Sequence, residues 1–358
     1  MTKPGPIRIL VVDDSALFRG QVKTALAGEN YQVVGSAGNG QDAIAFLKRE
    51  AVDLVVLDVE MPIMDGIQTT QEIAQKKFNC KVILFSGTSK GSAAKTLEAL
   101  RLGAMDFVAK PEADPNSTLT PAQRIREVLT PKINSIFHLQ APATPKTTSK
   151  RAPQTVIWEV LKPSALVIAS STGGPAALEK LLANMDYRVP FPIFIAQHMP
   201  ALFTASLAER LEKISGKICR EAVDGEEVQA DRMYLAPGNF HMELIALGGK
   251  TQIRLHQDPP INFVRPAADP LFQTAANIYG RHVAGIVLTG MGHDGQAGCH
   301  QIKEKRGVVL IQSKETCVVF GMPGAVFDSG DYDFMGSLEE LRSKIKVLSG
   351  FGGKSNAA

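Results

Sequence analysis

The sequence predicts an α/β protein built from two doubly wound parallel-sheet domains joined by a flexible linker. Three observations carry this prediction. The chain has 358 residues, more than one ordinary core organises, because single domains cluster at roughly 100–200 residues. Short β-branched runs alternate with helix-patterned segments twice, over residues 7–110 and again from about 164 to 348. That alternation builds parallel sheets covered by helices. Between the two stretches lies "HLQAPATPKTTSKRAPQ", which holds almost nothing large and apolar and so cannot repay the entropy of ordering. The expected division is a first domain over 1–125, a helical extension and flexible linker over 126–155, a second domain over 156–348 and a flexible tail over 349–358.

Composition narrows the function. With 39 basic against 36 acidic side chains the net charge is +3, too small a field for generic nucleic-acid binding. The second half also lacks a compact basic recognition helix. Cys80, Cys219, Cys299 and Cys317 form no C-x-x-C pair, which argues against zinc and against a disulfide framework. "MTKPGPIRILVVDDS" does not read as a secretory signal, and no apolar run approaches the roughly 18 residues of a spanning helix. A cytoplasmic protein with no direct membrane insertion is expected.

In the first half, strands are expected at "IRILVV", "YQVVGSA", "DLVVLDV", "KVILFSG" and "DFVAK". Open parallel sheets bind ligands beyond the carboxyl ends of their strands, and these ends are unusually acidic. Asp13 and Asp14 end the first strand, Asp58 the third, Ser86 the fourth, and Lys110 follows the fifth. Carboxylates gathered this way repel one another unless a hard cation such as Mg²⁺ sits among them. One carboxylate can accept a phosphoryl group while metal and lysine neutralise the charge in transfer. Taken singly, Asp14 before "SALF" reads equally well as a helix N-cap.

The set "VVDDS", "DLVVLDVEMPIMDG", "FSG" and "DFVAKP" resembles a response-regulator receiver domain, over about residues 7–125. The resemblance implies a flavodoxin-like fold with Asp58 as phosphoacceptor and Asp13, Asp14 and Asp58 around Mg²⁺. It also implies that Lys110 contacts the phosphoryl group and that Ser86 senses it.

In the second half three further strand-to-helix turns carry chemistry: "ASSTGGP" with Ser171, "AQHMP" with His198, and "LTGMGHDG" with Asp294. All three can converge on one sheet edge. A serine hydroxyl needs a base within reach, and triads are recognised by roles rather than chain order. Two other readings stand beside this one. "STGGP" also suits a phosphate-binding turn at a helix N-terminus. Gly290, Gly292 and Gly295, with Glu315 downstream, fit a dinucleotide fingerprint, although Asp294 would then face pyrophosphate. His241 and His256 have no obvious partner, and His300 and Cys299 fall in the helix after Asp294.

Together with "YLAPGNFHM", "RPAADPLF" and "GMPGAV", these motifs resemble the catalytic domain of the chemotaxis receptor methylesterases. That resemblance implies a Rossmann-like domain in which Ser171 is the nucleophile, His198 the general base and Asp294 the carboxylate that orients it. Thr172 and Met291 fall where the family shapes the oxyanion region. His293 stands where relatives often carry Asn. The implied reaction is hydrolysis of glutamate γ-methyl esters on the cytoplasmic helices of methyl-accepting chemoreceptors, with methanol released, and deamidation of receptor glutamines. It needs no cofactor for ester hydrolysis, only Mg²⁺ for phosphorylation, with a chemotaxis histidine kinase as phosphoryl donor. A non-catalytic, phosphorylation-controlled receptor-binding module is the rival from another class.

Overall fold

The computed structural model describes residues 5–111, 118–139 and 162–351. The chain separates into two compact units, Met1–Gln140 and Ala141–Ala358. Residues 140–155 of the expected linker lie outside the described residues.

The first unit runs β1 (Ile7–Val12), α1 (Ala16–Ala25), β2 (Tyr31–Ala37), α2 (Gly40–Leu47), β3 (Leu54–Asp58), α3 (Gly66–Gln75), β4 (Lys81–Ser86), α4 (Lys90–Arg101), β5 (Asp106–Ala109) and α5 (Pro121–Ile136). Its parallel sheet has the order β2-β1-β3-β4-β5. β3 is buried throughout, as a central strand covered by helices on both faces must be. The helices start where short polar side chains can hold their free N–H groups: Ser15, Asn39, Asp65, Ser89 and Thr120 each accept from the first turn. Strand order reverses between β1 and β3, which opens a crevice at their carboxyl ends. Asp13 and Asp58 stand at that crevice.

The boundary expected at residue 125 falls inside α5, which continues to Ile136. Ile125, Leu129, Ile133 and Ile136 form its buried face. Lys132 pairs with Asp106, and Lys81 Nζ donates to the carbonyl of Ile136 at 2.7 Å.

The second unit runs β6 (Ala165–Ser170), α6 (Gly174–Leu182), β7 (Ile193–Gln197), α7 (Ala201–Ser215), β8 (Cys219–Glu221), β9 (Met233–Leu235), β10 (His241–Leu247), β11 (Lys250–His256), α8 (Ala268–Tyr279), β12 (Val283–Val287), α9 (Gln296–Glu304), β13 (Val308–Gln312), α10 (Met322–Ser329), β14 (Phe334–Gly336) and α11 (Leu338–Lys346). Seven strands form one parallel sheet, β14-β13-β12-β6-β7-β9-β8. Its core joins Val167, Phe194, Tyr234, Phe272 and Ile302. The order reverses about β6, which lies between β12 and β7.

An antiparallel hairpin departs from the purely parallel expectation. Gly248 and Gly249, at φ 60 and 77, make the two-residue turn joining β10 to β11, a conformation that glycine adopts without steric cost. Met242, Leu244 and Ile253 of the hairpin are buried in the core, and Leu244 N–H donates to Thr274 of α8 at 3.1 Å. Cys80, Cys219, Cys299 and Cys317 are all free thiols. Among the described residues no helix is long and apolar enough to cross a membrane.

Truncating the chain at residue 125 removes Leu129, Ile133 and Ile136 from the first core. Each buried aliphatic is worth about 2–5 kcal/mol, against a total stability of roughly 5–15 kcal/mol. A fragment ending at 125 is expected to show no cooperative melt by circular dichroism, and one ending at 139 to show a single transition.

Candidate active sites

The first unit gathers its acidic strand ends at the crevice. Carboxylate oxygens of Asp13, Asp14 and Asp58 lie within 4.8 Å of one another. Lys110 Nζ stands 2.8 Å from Asp13 Oδ2 and 2.9 Å from Asp58 Oδ2. Burial, with the Asp13 charge adding to it against the Lys110 hydrogen bond, pushes the Asp58 carboxyl up to about 6. Ser15 caps α1, which leaves Asp14 exposed with no capping role. Asp13 Oδ1 accepts from Ser15 N–H at 2.8 Å, whereas its buried Oδ2 has no aligned hydrogen bond. An all-oxygen donor set with one lysine among three carboxylates suits a hard divalent cation. The Ser86 hydroxyl is buried and turned toward α4: it accepts from Thr96 Oγ1 at 2.7 Å and donates to Gly87 O at 3.1 Å.

In the second unit Ser171 follows β6, His198 follows β7 and Asp294 follows β12. These are the three adjacent strands at the order reversal. His198 Nε2 bonds Asp294 Oδ2 at 2.7 Å, with both side chains nearly buried. Nδ1 is then the ring nitrogen left for the serine, the reverse of trypsin-like enzymes. Ser171 is half-buried, and its hydroxyl makes no hydrogen bond among the described residues. Catalytic hydrogen bonds commonly tighten only when substrate binds.

The serine turn is clamped from two sides. Gln197, fully buried just before His198, donates to the carbonyls of Ser171 (3.0 Å) and His198 (3.2 Å) and accepts from Ser170 Oγ (2.6 Å). From the other side, Ser171 N–H donates to Thr289 O at 3.0 Å. A β-carbon on Gly290 would stand 2.7 Å from Ser171 Cβ and 2.4 Å from Met322 Sδ, so only glycine fits there. The other readings of these loops need free backbone donors, but Gly290 N–H donates to Val319 O at 3.0 Å and Gly174 N–H to Ser171 O at 2.7 Å. Thr172 is buried, with its carbonyl accepting from Thr289 Oγ1 at 2.9 Å. Met291 is 39 % exposed, and its N–H donates to no acceptor among the described residues. His293 is exposed.

Residues 166–345 match the CheB methylesterase family model, and residues 9–120 match the response regulator receiver domain. A protein-glutamate methylesterase/protein-glutamine glutaminase of Rhodospirillum centenum is 37% identical, covering 96% of this chain and 94% of its own. A protein of the same description from Trichodesmium erythraeum is 40% identical, covering 94% of this chain and 97% of its own. The chain belongs to the CheB methylesterase family. The crystal structure of the Thermotoga maritima CheB methylesterase catalytic domain aligns with TM-score 0.50 and 43% identity, over 52% of this chain and 98% of that one.

Sequence reasoning passed over several residues that build this CheB-family site. Asp294 Oδ2 accepts from Ala268 N–H (2.6 Å) and Oδ1 from Asp269 N–H (3.2 Å), so the carboxylate caps α8, whose own N-cap Ala267 has no capping side chain. Asn262 Nδ2 bridges Asp294 Oδ1 (3.3 Å) and Asp269 Oδ2 (3.1 Å). Burial alone would raise Asp294; the bonds from His198, Ala268 and Asp269 hold it below the ordinary carboxylate range. Asp269 goes the other way, pushed up to about 6 by burial and by the Asp294 charge. His241 and His256, partnerless in sequence, face each other across the hairpin with ring centroids 5.3 Å apart. His241 Nδ1 accepts from Ala267 N–H at 3.2 Å, which anchors the start of α8.

A carboxyl whose pKa is raised by burial among acids falls again when a cation arrives, because the cation favours the charged form. In a ¹³C NMR titration Asp58 is expected to titrate at about 6 without metal and at distinctly lower pH with millimolar Mg²⁺. An unchanged midpoint would contradict a metal site there.

Proposed function

We propose that this chain hydrolyses glutamate γ-methyl esters on chemoreceptor cytoplasmic helices, releasing methanol, that it also deamidates receptor glutamines, and that phosphorylation of Asp58 controls it. The observation that carries the reading is Ser171, His198 and Asp294 on three adjacent strand ends, with histidine and aspartate already bonded at 2.7 Å. The relatives' description, protein-glutamate methylesterase/protein-glutamine glutaminase, supplies the substrate class.

In the proposed mechanism Ser171 Oγ attacks the ester carbonyl as His198 Nδ1 takes its proton, and Asp294 stabilises the resulting imidazolium. The oxyanion is received in the region of Thr172 and Met291, where the free Met291 N–H is a suitable donor. His198 returns the proton to departing methanol, or to ammonia when the substrate is glutamine. It then deprotonates the water that hydrolyses the acyl-enzyme. The bond-making and proton-transfer steps use only Ser171, His198, Asp294 and water.

In the receiver, the Asp58 carboxylate attacks the phosphorus of a phosphohistidine on the chemotaxis kinase, and the histidine nitrogen leaves. Mg²⁺ held by Asp13, Asp14 and Asp58 would neutralise the phosphoryl oxygens during transfer. Lys110 moves from its two carboxylates to a phosphoryl oxygen, and Ser86 leaves its α4 partners to meet another. We assign these functions to a receiver part and a catalytic part, with the connecting segment between them.

Methanol release from methylated receptor membranes tests the reading. It is expected to rise with Mg²⁺ and a small phosphoryl donor, to lose that rise in Asp58→Asn, and to fall by about 10³-fold or more in Ser171→Ala. Undiminished release by Ser171→Ala would refute the mechanism, and receptor binding without release would favour the binding-module reading.

A further inference from the structure

Phe263 is fully exposed, at 101 % of its reference surface, and has φ 66. Both features run against the residue's preferences, since a left-handed backbone crowds the β-carbon of a bulky L-residue and an exposed aromatic ring forgoes burial. The preceding residue accounts for the backbone. Asn262, at φ 54, tolerates the left-handed region, and its amide holds Asp294 and Asp269. Paired bonds between Ile261 and Val264, at 3.2 and 3.0 Å, close the turn. The turn is thus pinned to the catalytic carboxylate, and Phe263 is carried outward at its tip. Among the described residues nothing covers the ring.

Two neighbouring turns present the same kind of side chain. Leu202, 44% exposed, starts the helix after His198, and Met291, 39% exposed, precedes Asp294 on its loop. Single exposed apolar residues are ordinary. Here each stands within a few residues of a member of the site or of the asparagine that holds one.

We propose that Phe263 is a docking residue for the protein substrate: its ring seats an apolar side chain of the polypeptide segment that bears the esterified glutamate, with Leu202 and Met291 on the adjoining rim. The inference rests on the esterase reading and deepens it, because it makes recognition depend on the surface around the ester as well as on the ester itself. The occupant follows from position: the turn that carries Phe263 is bonded through Asn262 to the carboxylate of the proposed site, and the substrate class of that site is a protein.

The test compares two substrates, a methylated receptor cytoplasmic fragment and N-acetylglutamate γ-methyl ester, across wild type, Phe263→Asn and Phe263→Leu. Asparagine suits the left-handed backbone, so the first variant keeps the turn, and thermal melts confirm the fold. Phe263→Asn is expected to raise KM for the receptor fragment about ten-fold with kcat within about two-fold, as the loss of a buried aromatic contact predicts. The ratio of kcat/KM for receptor fragment to that for the small ester is expected to fall at least about five-fold, and Phe263→Leu to restore most of it. An unchanged ratio would overturn the inference, whether both substrates lose equally or neither loses. Wild-type protein inert on both esters would overturn the esterase reading and this inference with it, a failure visible before any variant is compared.

Discussion

The second unit is organised around one buried charge. Asp294 is 2% exposed, and an isolated carboxylate in such a place would cost several kcal/mol, a large share of a domain's stability. Four donors from three places in the chain make it tolerable: the His198 ring, the adjacent N–H groups of Ala268 and Asp269, and the Asn262 amide. The first turn of α8 also places the positive end of a helix dipole at the carboxylate, worth up to about 2 kcal/mol when partly buried. The same contacts work in the other direction. They fix where α8 begins, they hold the 261–264 turn, and through His241 at Ala267 they tie the hairpin to the site. Asp269 bears the cost of having this charge as neighbour, and the two carboxyls are driven to opposite sides of the ordinary range.

The first unit solves a related problem with two buried carboxylates that one cation serves. Asp13 and Asp58 share Lys110, and Asp14 remains exposed beside them. Both units bring these side chains to the point where strand order reverses, because there the loops leaving two neighbouring strands part and leave a crevice. In the receiver the crevice lies between β1 and β3. In the catalytic unit it lies beside β6, so Ser171 looks across to Asp294 on one flank and His198 on the other.

What could be read in the sequence was whatever depends on near neighbours along the chain. Apolar runs such as "LVVL" and "ALVIA" identify buried parallel strands, and the polar residues that follow such a run sit at the carboxyl edge of the sheet. Asp13, Asp58, Ser171, His198 and Asp294 were legible for that reason. The hidden part consists of partners far apart in sequence. Gln197 is an ordinary strand-end glutamine until the fold brings Ser170 and Ser171 against it. Asn262 and Asp269 become site residues only because Asp294 reaches back to cap their helix, and a cap supplied from another loop leaves no local motif. The helical extension expected after residue 125 is continuous with a helix that starts at Pro121, and Ile125, Leu129 and Ile133 bury every fourth position in the first core.

The account turns on Asp294 setting the state of His198, and that state is measurable in the resting protein. Long-range ¹H–¹⁵N correlation of the histidine rings at neutral pH reads which nitrogen carries the proton. For the neutral form of the ring, the bond from Nε2 to Asp294 predicts the proton at Nε2 and a bare Nδ1, with that preference lost in Asp294→Ala. A neutral His198 ring protonated at Nδ1, or a tautomer unaffected by removing Asp294, would contradict the central claim.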